Sequence, residues 1–317
     1  MEIMSRSTVD GDVGLIYQKD LDFCESSVSR QEGEAGPRPE MMSIKSDLEQ
    51  AITNEQLSLV FQPKVRLADG RLDGFEVLTR WKHPERGQVS PEIFVQIAEE
   101  TELIHPFTIW VMRMSFCQLQ KWRQDGFRTS LSINVSVKNF SAPNFVGEIR
   151  KAIDEFKVDP TQIEFEITES ALIQDSPTVL NRLLLLRGLG VRLSIDDFGA
   201  GYASLAYLRM LPVDVLKIDR SFITALNSSK ADQKIVAWTI QLAHDLGMRV
   251  VAEGVETAEV ADLLRETGCD IAQGYFFGRP MCADEVYPWA VNGLGQVRNE
   301  GASHFLSRLG SLLRRNY

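Results

Sequence analysis

The sequence predicts an α/β fold, an imperfect TIM (β/α)8 barrel with one antiparallel strand pair. Eight short apolar runs typical of strands occur between residues 57 and 277, and segments with helical spacing separate most of them. From residue 163 onward the runs start about 22–36 residues apart, which suits repeated strand–helix units with right-handed crossovers. Acidic residues recur near the ends of these runs, where the active sites of barrels lie. An open doubly wound sheet is the alternative.

The predicted strands are 57–61, 72–78, 131–135, 163–167, 191–195, 213–218, 249–252 and 271–277. The first two lie too close together for a helix between them, and the intervening sequence Ala68-Asp69-Gly70 is typical of a hairpin turn. These two strands are therefore expected to be antiparallel, which makes the barrel imperfect.

Apolar residues recur with helical spacing in three segments, 92–122, 178–189 and 232–246. Glycines mark the ends of the last two segments, at Gly188 or Gly190 and at Gly247, where a helix commonly stops. These segments predict helices that cover the outside of the barrel.

The composition divides the chain into three parts. Residues 1–42, which include a Gly/Pro/Glu-rich stretch at 31–39, predict a flexible N-terminal extension. Residues 43–290 carry the periodic pattern of the main domain. Residues 291–317 predict a basic amphipathic tail. Such a tail can contact a membrane surface or a protein partner, or can pack on the barrel or on a second copy. The extension is a second candidate surface for a protein partner.

The overall charge and the apolar pattern exclude several classes of protein. The 317 residues carry a net charge of −10, which argues against a nucleic-acid polymer as partner. No uncharged apolar run reaches about 18 residues, so no transmembrane helix is predicted. The first residues lack the pattern of a signal peptide, and the four cysteines form no CxxC pair. We therefore expect a cytoplasmic protein.

Acidic residues at strand ends form the most informative pattern. They are Glu76, Glu166, Glu169, Asp196, Asp197, Asp219, Glu253 and Glu256, and Asn134 ends a further run. Any one of them alone is equally typical of a solvated loop or a helix N-cap. As a set at one barrel mouth they would repel one another unless cations neutralise them, and oxygen ligands favour Mg²⁺ or Mn²⁺. Lys217, inside the apolar run 213–218, would stay charged in such a mouth, either as an ion-paired structural lysine or as a group that orients an anionic nucleophile.

Several long motifs resemble the EAL-domain family of cyclic di-GMP phosphodiesterases over about residues 45–290. They are FQPKVRLADGRLDGFEVLTRWKHPERGQVSP, INVS, FEITES, IDDFGAGYASLAYLRMLPVDVLKIDRSF, VVAEGVET and AQGYFFGRP. The resemblance implies a bacterial hydrolase with an imperfect TIM barrel, acting as a homodimer. It would convert cyclic di-GMP to linear pGpG, and so favour motility over biofilm.

The resemblance also implies roles for individual residues. Glu76, Asn134, Glu166 and Asp196 would hold one Mg²⁺ or Mn²⁺ ion, and Asp196, Asp197 and Glu253 would hold a second. Lys217 would position the attacking water and help to deprotonate it. Glu169 would anchor the loop 198–204. Gln62, Arg80 and Gln273 match positions that line the nucleotide site. Glu256 would hold the residues that bind the metal ions without binding an ion itself.

The signature tripeptide departs from the family pattern at its middle position. It reads Glu76-Val77-Leu78, where alanine is usual. If Glu76 faces the barrel interior, Val77 faces the surrounding helices, so the change affects packing and removes no ligand. A catalytically inactive receptor that binds cyclic di-GMP is the alternative function, and the complete ligand set favours the enzyme.

Overall fold

The structure is a computed structural model, and it describes residues 39–54, 56–169, 176–199 and 208–293. The described residues from Glu40 onward belong to one compact unit. The predicted extension and tail lie outside the described residues, apart from 39–42 and 291–293 at their inner ends. None of the described helices is long and apolar enough to cross a membrane.

The strands are β1 (Leu57–Arg66), β2 (Leu72–His83), β3 (Gly87–Val89), β4 (Leu131–Asn134), β5 (Ile163–Thr168), β6 (Arg192–Phe198), β7 (Val215–Ile218), β8 (Arg249–Ala252) and β9 (Ile271–Gln273). The α-helices are α1 (Pro39–Thr53), α2 (Pro91–Glu100), α3 (Ile104–Gln124), α4 (Phe145–Phe156), α5 (Ser176–Arg187), α6 (Arg220–Thr224), α7 (Lys230–Asp245), α8 (Ala258–Glu266) and α9 (Ala283–Pro288). Short 3₁₀ turns occupy Val137–Ser141 and Pro160–Gln162, and a π-helical turn occupies Trp289–Gly293.

Eight of the strands close into a barrel in the order β1-β9-β8-β7-β6-β5-β4-β2, with β2 pairing back to β1. β1 is antiparallel to both of its neighbours, β2 and β9, and the other barrel pairs are parallel. β3 adds an antiparallel strand to the outside edge of β2. The closed barrel and its antiparallel pair confirm the predicted fold, and the open doubly wound sheet is wrong.

Most predicted elements are present, with some changes at their ends. The run 271–277 is a strand only to Gln273, because the backbone then turns and the amides of Phe277 and Gly278 bond to the carbonyl oxygen of Gly274. The segment 92–122 is two helices, α2 and α3, rather than one. Additional to the predicted elements are β3, α1, α4, α6, α8 and α9.

The strands alternate between an apolar outer face and a polar inner face. Phe61, Phe75, Ile133 and Leu193 point outward into the main hydrophobic core. The buried polar side chains on the inner face include Lys64, Ser132, Glu164, Glu166, Ser194 and Lys217, together with Gln62, Glu76, Asp196 and Gln273. Val215, Val251 and Ile271 form a separate small apolar cluster. Barrels of this type are usually filled by branched apolar side chains, so this interior is unusually rich in charge.

Candidate active site

Three carboxylates meet at the C-terminal ends of β6 and β8. Asp196, Asp197 and Glu253 each offer an oxygen atom, and these atoms all lie within 4.8 Å of one another. Successive side chains of a regular strand point to opposite faces, which would separate the two aspartates. Asp197 instead has a φ of 54°, and the register between β6 and β7 shifts between Ile195 and Phe198. This irregularity in β6 accompanies the convergence of both aspartates on one cluster.

The ammonium group of Lys217 connects this cluster to β5. Its Nζ lies 2.6 Å from Glu253 Oε1, 3.0 Å from Asp196 Oδ1 and 2.7 Å from Glu166 Oε2. Burial alone would lower the pKa of Lys217, but the three carboxylates outweigh this effect and raise its pKa well above the ordinary value. Lys217 is therefore charged at neutral pH, in agreement with the expectation from sequence.

Glu76 lies beside the cluster and is held by two amide side chains. Asn134 Nδ2 donates a hydrogen bond to Glu76 Oε1 at 3.0 Å, and Gln273 Nε2 donates to Glu76 Oε2 at 2.5 Å. Gln62 pairs with Glu76 across β1 and β2, and its Oε1 accepts from Gln273 Nε2 at 3.1 Å. Burial acts to raise the pKa of Glu76, but the charge of Lys217 and the two hydrogen bonds lower it overall.

Other carboxyl groups of the site have raised pKa values. Burial raises the pKa of Glu253 to about 8 and that of Glu166 to about 7, and neighbouring carboxylates add to this effect although Lys217 opposes it. Burial and the charge of Asp196 also raise the pKa of Asp197. Crowded carboxyl groups that resist ionisation are suited to a cation, because a positive charge among them favours the ionised form.

Glu169 lies directly after β5 and is 3% exposed. Its Oε2 accepts a hydrogen bond from the backbone amide of Gly199 at 2.8 Å. The predicted contact between Glu169 and the loop 198–204 is therefore visible at Gly199, while residues 200–207 lie outside the described residues.

A cleft of about 350 Å³ opens above the cluster and is called the acidic cleft below. Its predicted lining residues are Gln62, Glu76, Asp196, Asp197, Glu253, Glu256 and Gln273. Arg220 and Tyr275 also line it, and the sequence reasoning did not single them out. A signal for Arg220 was available, because it follows Asp219 at the end of a predicted strand.

Arg80 does not line the acidic cleft. It lines a neighbouring cavity of about 260 Å³, called the apolar cavity below, together with Phe94 of α2 and Phe107 of α3. Asn134 and Glu166 also line the apolar cavity. Because Asn134 bonds to Glu76 and Glu166 bonds to Lys217, the two cavities flank the same group of polar side chains.

A family model described as the EAL domain matches residues 45–280, which is more than half of the chain. The chain belongs to the EAL domain family. The EAL match contains every residue predicted for the site, including the glutamate of the signature tripeptide, Glu76.

The curated relatives of this EAL domain include two cyclic di-GMP phosphodiesterases of Pseudomonas aeruginosa. One, PA2567, is 41% identical over 248 residues, which cover 78% of this chain and 42% of that protein. The other, NbdA, is 40% identical over 241 residues, which cover 76% of this chain and 31% of that protein. The chain thus spans less than half the length of these relatives.

Solved structures of EAL domains share the fold. The P. aeruginosa MucR phosphodiesterase in complex with c-di-GMP is 38% identical, with a TM-score of 0.73 over 77% of this chain and 99% of that chain. The EAL domain of P. aeruginosa FimX bound to c-di-GMP is 26% identical, with a TM-score of 0.69 over 76% of this chain and 96% of that chain.

The side chain of Val77 in this EAL domain points away from the site. Val77 is 3% exposed and lines the apolar cavity together with Phe94 and Phe107. Glu76, the preceding residue, lines the acidic cleft. This arrangement agrees with the expectation that the middle position of the signature affects packing between strand and helices.

A second buried lysine of the EAL barrel was not anticipated from sequence. Lys64 of β1 is 2% exposed, and its Nζ lies 2.7 Å from Glu164 Oε1 and 3.4 Å from Glu166 Oε1. It also donates a hydrogen bond to Ser132 Oγ. The available signal was the alternation of polar and apolar residues in FQPKV, LSIN and IEFEI, where the polar residues share the inner face.

Asp219 is not among the residues that line the acidic cleft. Its side chain accepts a hydrogen bond from the backbone amide of Ser221 at 3.0 Å and caps the N-terminus of α6. The N-cap reading of a single strand-end acid is therefore correct at this position.

Proposed function

We propose that this EAL domain hydrolyses cyclic di-GMP to linear pGpG with the help of two divalent cations. The observation that carries the proposal is the cluster of Asp196, Asp197 and Glu253, which Lys217 links to Glu166. The names of the relatives at about 40% identity support the same substrate.

The donor set of the site fits Mg²⁺ or Mn²⁺. Asp196, Asp197 and Glu253 would hold one ion, and carboxylate oxygens are the ligands that these ions prefer. Glu76, Asn134, Glu166 and Asp196 would hold the other. The two bound cations would neutralise the carboxylates, lower the pKa of the attacking water and polarise the phosphoryl oxygens.

Lys217 would position the attacking water. Because its pKa is raised well above the ordinary value, its side chain is a hydrogen-bond donor at neutral pH. This charge state supports orientation of the water oxygen rather than removal of its proton. The three carboxylates around Nζ hold the ammonium in place and take up its three N–H groups, so one N–H would turn from a carboxylate to the water oxygen when cations and substrate bind.

The nucleotide would lie in the acidic cleft, and Arg80 would reach it from the edge of the neighbouring apolar cavity. Arg80 would contact a phosphate oxygen, since its guanidinium is a planar and permanently charged fork. Gln62 and Gln273 would contact the nucleotide from the acidic cleft. In the reaction, the water oxygen bonds to phosphorus and gives up one proton, the bond from phosphorus to one ribose 3′ oxygen breaks, and that oxygen gains one proton.

A timed incubation with cyclic di-GMP tests the proposal. Purified protein is mixed with cyclic di-GMP and Mn²⁺, and the products are separated by chromatography. A pGpG peak that disappears with EDTA is expected, and Glu76→Gln should produce no peak. Intact nucleotide that co-elutes with the protein would instead indicate a receptor.

The family resemblance also supports a homodimer that works in the cytoplasm. Light scattering of the purified chain gives its mass, and a monomer at all concentrations that retain activity would contradict the dimer. Fractionation of the source cells tests the location.

A further inference from the structure

A single carboxylate, Glu166, lies between two buried lysines. Lys217 Nζ is 2.7 Å from Glu166 Oε2, and Lys64 Nζ is 3.4 Å from Glu166 Oε1. The Glu166 side chain has no exposed surface, and each lysine side chain is at most 2% exposed. Each oxygen of the carboxylate is therefore held by a different ammonium group.

Lys64 lies on β1, the antiparallel strand of the barrel, and pairs with Gln273 of β9, whose side chain bonds to Glu76. On its other side, Lys64 contacts Ser132 of β4 and Glu164 of β5. These contacts fix the position of the Lys64 ammonium group inside the barrel, below the acidic cleft.

A carboxylate with one hydrogen bond on each oxygen has a restricted rotation about its last side-chain bond. About two of its four lone-pair sites then remain for a metal ion. Lys217 alone would fix one oxygen and leave the plane of the carboxylate free to turn. Lys64 holds the second oxygen and so restricts the plane.

We propose that Lys64 is a positioning residue, which orients the Glu166 carboxylate for the metal ion assigned to it. This inference rests on the proposed function only for the metal ion that Glu166 would hold, and not for the substrate or the reaction. Residues that hydrogen-bond to a metal ligand typically change metal affinity about 10–100-fold when they are removed.

The charge of Lys64 has the opposite effect on metal affinity. A buried positive charge repels a divalent cation, so loss of the charge alone strengthens cation binding. Lys64 is paired with Glu164 at 2.7 Å, and loss of both side-chain charges leaves the net charge of the interior unchanged. The double variant Lys64→Met/Glu164→Gln therefore isolates the geometric contribution.

The experiment is a Mn²⁺ titration of the full chain without nucleotide, followed by electron paramagnetic resonance of the free ion. The proteins are wild type, Lys64→Met, Glu164→Gln and the double variant, each checked for folding by circular dichroism and thermal unfolding. Mn²⁺ binding in the double variant is expected to weaken about tenfold or more. Lys64→Met should weaken binding less than the double variant does, because loss of its positive charge partly offsets the loss of position. Glu164→Gln removes one buried negative charge and should also weaken binding, so it reports the effect of charge while Lys64 is still present.

The double variant decides whether Lys64 orients Glu166 or only neutralises Glu164. It does so even if one of the single variants fails to fold. It is expected to unfold nearer to the wild-type temperature than Lys64→Met does, while its Mn²⁺ affinity stays low. Wild-type affinity in the double variant would mean that Lys64 serves only to balance Glu164, and would overturn the inference.

The outcome also separates this inference from the proposed reaction. Weak Mn²⁺ binding in the double variant supports the positioning role even if the wild type leaves cyclic di-GMP intact. A wild-type chain that binds no Mn²⁺ would contradict the proposed metal centre and overturn the inference with it.

Discussion

Lys217 Nζ lies 2.6 Å from Glu253 Oε1, and this contact joins the C-terminal end of β7 to that of β8 inside the barrel. The lysine side chain is 1% exposed, and that of Glu253 is 19% exposed. Lys217 thus lies in the buried interior of the barrel, and Glu253 lies beside it at the floor of the open acidic cleft. The reactive chemistry of the domain is expected where these two residues meet.

Lys217→Met is expected to reduce the turnover of cyclic di-GMP by about 100-fold or more, because the variant removes the oriented donor at the reacting centre. Initial rates with saturating Mn²⁺ measure the loss. The matched control is Lys151→Met, an exposed lysine on α4, which should turn over at the wild-type rate. Turnover within about threefold of wild type in Lys217→Met would contradict the assigned role.

Asp197→Asn is expected to reduce the stabilisation of the protein by Mn²⁺. A ligand at 100 times its dissociation constant stabilises the folded state by about 2.7 kcal/mol, and loss of one carboxylate weakens the binding. Asparagine tolerates the positive φ of Asp197, so the substitution adds little backbone strain. Thermal unfolding with and without Mn²⁺ measures the change.

The control for this measurement is Asp154→Asn, an exposed residue of α4, which should keep the full shift. An unchanged shift in Asp197→Asn would place the metal ion elsewhere.

Ca²⁺ should support turnover poorly, because its longer bonds and looser geometry place the reacting groups less precisely.

Gly199→Ala is expected to destabilise the domain by more than the usual cost of a side chain in the left-handed region, which is about 1–2 kcal/mol. Gly199 has a φ of 100°, and an added Cβ would lie 2.7 Å from Cε2 of Phe222. Gly126 has a φ of 81° with no atom within 4 Å of such a Cβ, so Gly126→Ala reports the backbone strain alone. Urea unfolding gives both free energies, and equal losses would argue against the clash.

Val77→Ala is expected to lower the free energy of unfolding by about 1–3 kcal/mol, because it removes buried methyl groups and enlarges the apolar cavity. Turnover should stay within about threefold of wild type, since Val77 points away from the acidic cleft. Val95→Ala, at a half-buried position lining the same cavity, should cost less stability. A more than tenfold rise in turnover in Val77→Ala would instead mean that valine restrains the site.

The sequence pattern was sufficient for the fold and for most of the candidate site. The spacing of residues 57–78 predicted the antiparallel pair β1–β2, since no helix fits between these strands. The acidic residues at strand ends were identifiable because the ends of parallel barrel strands meet at one mouth. Among the described residues, the structure places Glu76, Asp196, Asp197 and Glu253 on one cleft.

Other features depended on the tertiary structure. The position of Arg80 in a separate cavity follows from the packing of α2 and α3 on β2, which no local pattern specifies. The convergence of Asp196 and Asp197 accompanies the positive φ of Asp197, whereas strand alternation alone separates them.

The sequence by itself determined which residues face inward, because alternation along a strand is a local property with a period of two. It also identified the strand-end acids and Lys217 as candidates for the site, whereas Lys64 was recognised only in the structure. Only the tertiary structure decided which inward residues meet, because that depends on the register between strands separated by many residues in the chain. Lys64 and Glu166 are 102 positions apart, and closure of the barrel brings their charges into contact.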